Sequence, residues 1–133
     1  MSDANKRVLQ QANAAVTAGD NEGFLSFCVD DVVWSTVGGD TLNGKEAVRA
    51  WMAIEYVRPP AFTVRELVAE GDHVIALGDI DSRDDAGKPV RNAYCDVWRL
   101  RDGKLAELRA FVIPVDDSID DSINKPIKQP IGK

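Results

Sequence analysis

Histidine occurs once, at His73, and cysteine twice, at Cys28 and Cys95, far apart and in no Cys-X-X-Cys or Cys/His cluster. So few ligands of these types indicate neither a zinc site nor a disulfide framework, and both cysteines read as small apolar residues of a core or an interface. Long apolar runs are missing as well. None approaches the length that spans a bilayer, and Met1-Ser2-Asp3-Ala4-Asn5-Lys6-Arg7 opens without the apolar stretch of a secretory leader, so a cytoplasmic location is expected. Positive charge is in deficit: 16 Lys and Arg against 22 Asp and Glu leave a net charge of −6. Such a field repels phosphate backbones and anionic bilayers, so neither nucleic acid nor a membrane is expected as a partner.

What is there suits a single domain, because 133 residues with 44% hydrophobic and 29% charged side chains can fill one core and solvate one surface. Val8, Leu9, Ala12, Ala15 and Val16 recur at helical spacing from about Asp3 to Ala18, and Gly19 stands where a helix would be capped. Asp20 then caps a short second helix holding Phe24, Leu25, Phe27 and Cys28. Asp30-Asp31 breaks that pattern, and residues 32–37 read as a strand ended by Gly38-Gly39. Asn43 and Glu46 have the spacing of a capping box for a third helix, with Val48, Trp51, Met52 and Glu55 on one face and Pro59-Pro60 as its stop. Beyond Ala61, β-rich segments alternate with turn signals at Gly71-Asp72, Asp85-Ala86-Gly87 and Asp102-Gly103, which predicts a four-stranded meander. The domain is set at residues 1–114. Residues 115–133 are polar and punctuated by proline, an extended tail in which Ile119, Ile123, Ile127 and Ile131 are candidate anchors. Its Asp116-Asp117 and Asp120-Asp121 lack the glycine turn and terminal glutamate of a cation loop, so no metal is assigned.

The register of the meander decides which side chains face inward, since a slip of one residue moves every side chain to the other face. A three-residue bend over Arg101-Asp102-Gly103 pairs Trp98 with Ala106, Asp96 with Leu108 and Tyr94 with Ala110, and yields one cleanly apolar face. The same bend at Asp85-Ala86-Gly87 pairs Gly78 with Tyr94, Ala76 with Asp96 and Val74 with Trp98. Both turns choose the same inner face, which also carries Ile80, Asn92 and Val112 and surrounds one acid, Asp96, with small residues that leave empty volume. The outer face holds Ile75, Leu77, Cys95, Val97, Phe111 and Ile113, too apolar for water. It is expected to form a homodimer or, alternatively, to be covered by the chain's own tail.

Ala18-Gly19-Asp20, Val29-Asp30-Asp31, Leu42-Asn43-Gly44-Lys45-Glu46-Ala47-Val48 and Arg101-Asp102-Gly103-Lys104-Leu105, in that order and spacing, resemble the nuclear transport factor 2-like superfamily in its SnoaL-like and ketosteroid-isomerase-like branch. The resemblance spans about Arg7 to Ile113. It implies an α+β fold of the cystatin-like kind, a cone of bent antiparallel sheet wrapped around three N-terminal helices and enclosing a pocket, commonly as a dimer. It implies functions from isomerases, cyclases, dehydratases and epoxide hydrolases to proteins without catalysis, so fold alone does not choose among them. Asp96-Val97-Trp98-Arg99-Leu100 resembles the ketosteroid-isomerase stretch whose aspartic acid stays protonated and donates a hydrogen bond to a developing oxyanion, and Asp96 matches that acid. Where that machinery has its tyrosine and its general-base aspartate, this chain has Ala12 and Thr36. Where epoxide hydrolases need an acid on the last strand, it has Ala110.

Asp96 is accordingly the first catalytic candidate, because burial among Ala76, Leu108 and Trp98 disfavours its anion, with Tyr94 beside it as a hydrogen-bond donor. Trp34, Trp51, Tyr56 and Trp98 are candidates for an apolar clamp on a ring, with Leu108 and Val112 as further lining; aromatics at such spacing also serve as plain core. Arg65 points inward opposite Gly78 if Gly71-Asp72 is a two-residue turn, in reach of Asp96 or of a ligand's carboxylate. His73 opens a strand directly after that turn and is assigned to the rim. Two functions remain open: cofactor-independent proton transfer on a small, mostly apolar carbonyl compound, as in an isomerase, cyclase or dehydratase, and a non-catalytic ligand-binding or dimerisation module.

Overall fold

The computed structural model describes residues 2–84 and 86–115. Leu9, Ala12 and Val16 form one buried stripe along α1 (Ser2–Thr17), the face that the spacing predicts. Gly19 ends the helix at φ 77°, where its N–H reaches the Val16 carbonyl and the Asp20 N–H reaches that of Ala15. Asp20 then caps α2 (Asn21–Leu25) by accepting from the Gly23 N–H at 2.8 Å, which sends Phe24 and Leu25 into the core.

The second helix ends at Leu25, ahead of Asp30-Asp31, and both acids, expected to precede the first strand, lie within it. Strand β1 runs Cys28–Thr36, with both acids exposed and neutralised from the side, Asp31 by Arg101 at 2.6 Å and Asp30 by Lys45 at 3.4 Å. A short strand that the sequence reading missed, β2 (Thr41–Asn43), folds back on β1. It absorbs Asn43, so the expected capping box does not form; α3 (Lys45–Glu55) starts at Gly44, whose φ of 93° favours glycine, without a side-chain cap. Val48 and Met52 on α3 are fully buried.

The four strands of the meander follow: β3 (Phe62–Glu70), β4 (His73–Arg83), β5 (Pro89–Arg101) and β6 (Lys104–Val115). Sheet order is β2-β1-β6-β5-β4-β3, and β1 lies parallel to β6, so the sheet is mixed where an antiparallel one was expected. The reason is topological. Between β1 and β6 the chain passes through β2, α3 and three meander strands, and it re-enters beside β1 pointing the same way. The sheet curls over the helices, with α1 against β3, β4 and β6 and α3 against β1 and β2. Gly78 permits the tightest approach: a Cβ there would lie 1.9 Å from the Thr63 carbonyl oxygen of β3 and 3.0 Å from the Tyr94 ring.

Registers confirm the inner face and revise how it arises. The β4–β5 pairs Val74–Trp98, Ala76–Asp96 and Gly78–Tyr94 are as expected. At the last hairpin Arg101 pairs with Lys104, so the bend has two residues, Asp102 at φ 52° and Gly103 at φ 79°. An extra residue in β6, Ala106, then shifts the ladder, and Asp96 faces Ala110 where Leu108 was expected, with Trp98 facing Leu108 and Tyr94 facing Val112. The tail, its isoleucine anchors, its acidic pairs and Asp85 lie outside the described residues.

Candidate functional site

A cavity of about 840 Å³ lies between the concave face of the sheet, α1 and the segment from α3 to β3, within the range of small-molecule sites. Its inner end is closed by buried Phe24 and Trp98, and its outer end opens among the exposed Asp81, Ser82 and Arg83 of β4. Trp34, Trp51, Tyr56 and Trp98 all line it, as expected. They do not form two parallel plates. Trp34 meets Trp51 at 5.3 Å and 46° and Trp98 at 6.0 Å and 79°, and Tyr56 meets Trp51 at 4.9 Å and 69°, so the rings brace one another as a continuous apolar wall instead of a clamp.

Asp96 stands in the middle of β5 between Ala76 on β4 and Ala110 on β6, both too small to cover it, and its carboxyl is at the cavity wall. Among the described residues no hydrogen bond or ion pair reaches that carboxyl. Burial alone pushes its pKa from 3.8 to about 7, because nothing offsets the loss of water around the anion. Two phenols feel its charge. Burial first, and the negative charge of Asp96 second, raise Tyr94 to about 12 and push Tyr56 well above the ordinary tyrosine value. Both therefore stay protonated and able to donate near neutrality. A neutral carboxyl and two phenols in one apolar cavity can donate hydrogen bonds to a ligand oxygen that gains negative charge.

The remaining candidates divide. Leu108 is 1% exposed on the cavity wall, and Val112 lines the opening at 42% exposure. Arg65 is excluded: the turn at Gly71-Asp72 does have two residues, but an extra residue at position 65 breaks the β3–β4 ladder between Val64 and Glu66. The bulge turns Arg65 to the outer side, where it holds Asp79 at 2.7 Å and reaches neither the cavity nor Asp96. His73 is exposed but not at the rim, the place expected for it: it opens β4 at the end away from Asp81, Ser82 and Arg83 and does not line the cavity, and among the described residues no cluster of three potential metal ligands occurs. Ala12 is fully buried, and Thr36 and Ala110 line the cavity.

Asn92 was placed on the inner face from the sequence but not assigned to the site, and it lines the cavity at 4% exposure. Its signal was the one that marked Asp96, a polar residue at an inward position of a mainly apolar strand. Asn13 on α1, Glu55 at the end of α3 and Arg58, Pro59 and Pro60 after it also contribute, and no local pattern places them in the site, because they reach the cavity only through helix packing.

Residues 9–108 match the SnoaL-like domain family. Among curated proteins none matches this chain. Several solved structures share its fold. An NTF2-like protein from Burkholderia xenovorans is 21% identical, with a TM-score of 0.70 over 84% of this chain and 91% of that one. A LEH-like epoxide hydrolase of Mycobacterium tuberculosis is 17% identical, with a TM-score of 0.74 over 84% of each chain. A second M. tuberculosis protein, solved in complex with estradiol-17beta-hemisuccinate, is 23% identical, with a TM-score of 0.72 over 83% of this chain and 93% of that one. With its curled sheet closed over N-terminal helices and the family match running from α1 into β6, the chain belongs to the SnoaL-like family and has the NTF2-like fold.

Proposed function

We propose that this protein binds a small, mostly apolar, ring-containing carbonyl compound in the cytoplasm and catalyses proton transfer on it, as an isomerase, cyclase or dehydratase does. The observation that carries this reading is the Asp96 carboxyl, unpartnered among the described residues at the wall of a cavity of about 840 Å³ and shifted to a pKa of about 7. Near that pH a large share of Asp96 is neutral and donates a hydrogen bond to the carbonyl oxygen, with Tyr94 as a second donor. Transfer of a proton from the adjacent carbon to a water molecule then leaves an enolate whose charge these donors stabilise, and an apolar surround strengthens each of them. This chemistry needs no cofactor. That a relative of the same fold holds estradiol-17beta-hemisuccinate is consistent with a multi-ring ligand here.

Ala12 and Thr36 favour the second reading, a ligand-binding module without catalysis, because they stand where the resembling isomerases have their tyrosine and base. 2-Tetralone, a two-ring ketone, separates the two. We expect it to quench the tryptophans of the cavity wall, and the protein to accelerate exchange of its α-hydrogens for deuterium. Asp96→Ala should lower that rate on the order of a hundredfold while the probe still binds. Binding with exchange no faster than in buffer would leave only the binding module, and no binding would end both readings.

The outer face supports a homodimer. Val68 and Ile113 are 48% and 63% exposed there, beside Ile75 and Val97, which are half-buried in the isolated chain. Sedimentation equilibrium at micromolar concentration should give twice the chain mass and Val97→Glu the single mass; a parent that sediments as a monomer removes the dimer.

A further inference from the structure

Among the described residues, Asn92 is the one buried polar side chain of the cavity wall, at 4% exposure, and its two ends are treated differently. Its Nδ2 donates to the Ile80 carbonyl at 3.0 Å, the Ser82 hydroxyl at 2.9 Å and the Val90 carbonyl at 3.4 Å. Two of these partners only accept, so the amide orientation is determined: the nitrogen faces the strand and the oxygen does not. No donor reaches Oδ1 among the described residues. Across the ladder on β6 stands Pro114, which has no N–H to offer. A buried amide oxygen without a donor is costly, and in a cavity wall the group that can relieve the cost is the occupant.

Asn92 and Asp96 lie four residues apart on the same face of β5, about 13 Å along the strand at 3.2–3.4 Å per residue. Tyr94 stands between them. Asp96 is toward the inner end beside Trp98, whereas Asn92 is toward the opening beside Ser82. We infer that the cavity selects a two-ended ligand, in which a ring system separates an oxygen that meets Asp96 from a hydroxyl that donates to Asn92 Oδ1. This rests on the reading of the cavity as a ligand site and adds the chemistry of the outer end. A ketone, ether or unsubstituted ring at that end leaves Oδ1 without a donor and is discriminated against. Asn92 is thus a specificity residue for a hydroxylated substrate or product.

Three probes test it: 4-acetylbiphenyl, its 4′-hydroxy derivative and its 4′-methoxy derivative, with binding followed by tryptophan quenching. The parent is expected to hold the hydroxy compound about tenfold more tightly than either of the others, the value of one net hydrogen bond. The unsubstituted and methoxy compounds bracket it in size, so volume cannot mimic the effect. Asn92→Leu should equalise the three. Where that variant does not fold, Asn92→Ser, which keeps an oxygen acceptor but shortens the reach, should reduce the preference. Asp96→Ala should weaken all three and leave the preference intact, since the two positions share no contact. Equal binding of the three by the parent, or a preference that survives in Asn92→Leu, overturns the assignment of Asn92. Failure of all three to bind overturns the reading of the cavity itself.

Discussion

Asp96→Asn is expected to be more stable than the parent at pH 8, by up to about 4 kcal/mol, and to lose that advantage as the pH falls to 4. Folding raises the Asp96 pKa from 3.8 to about 7, so between those values the folded chain holds a proton that the unfolded chain releases. This group's contribution to parent stability is therefore complete below pH 3.8 and is lost as the pH rises through 7. Three pKa units at 1.36 kcal/mol each set the scale of about 4 kcal/mol. Asparagine cannot ionise and escapes the loss, while every other titrating group is shared and cancels in the comparison. Urea unfolding of both proteins from pH 4 to pH 8 checks it. Curves that stay parallel would mean that Asp96 keeps an ordinary pKa, and the acid chemistry proposed for it would fall. The same variant should keep the probe and slow the deuterium exchange, because an amide N–H is a weaker donor to the enolate oxygen than a neutral carboxyl.

Gly78→Ala is expected to cost about 3 kcal/mol or more, a large loss for adding one methyl group. The added Cβ would fall 1.9 Å from the Thr63 carbonyl oxygen, a backbone atom, so β3 must move away as a whole instead of a side chain rotating. The 3.0 Å contact with the Tyr94 ring directs the damage into the cavity, where Tyr94 and Phe62 of β3 both line the wall. The variant should therefore lose stability and probe affinity together, and native-state hydrogen exchange should show the β3–β4 amides opening first. A loss below about 1 kcal/mol with the β3–β4 amides still protected would show that β3 does not approach this closely.

Where sequence and structure part, the cause is in each case a long-range one. Arg65 follows from sound turn chemistry, since Gly71-Asp72 does form a two-residue bend, yet the bulge at position 65 turns it outward. That bulge belongs to the curvature of β3 opposite Gly78, for which no local residue pattern exists. The last hairpin shows the converse. A two-residue bend alone would have turned Asp96 to the outer face relative to β6, but the extra residue Ala106 restores the parity, and Asp96 shares the concave side with Leu108 and Ala110. The expected face was right and the expected pairs were two residues off. The Asp30-Asp31 pair reads as the end of the second helix with the strand opening at Val32, whereas the strand opens at Cys28 and carries both acids, which Arg101 and Lys45, remote in sequence, neutralise.

By itself the sequence determined the helix caps at Gly19 and Asp20, the four-strand meander and the identity of Asp96 as an inward acid. Each of these follows from contacts within a few residues or from the two-residue period of a strand. Only the tertiary structure decided the parallel seating of β1 on β6, the exclusion of Arg65, the free oxygen of Asn92 and the absence of a protein partner for Asp96 among the described residues. These depend on how a bent sheet meets helices far away in the chain, because curvature and burial are properties of the packed whole.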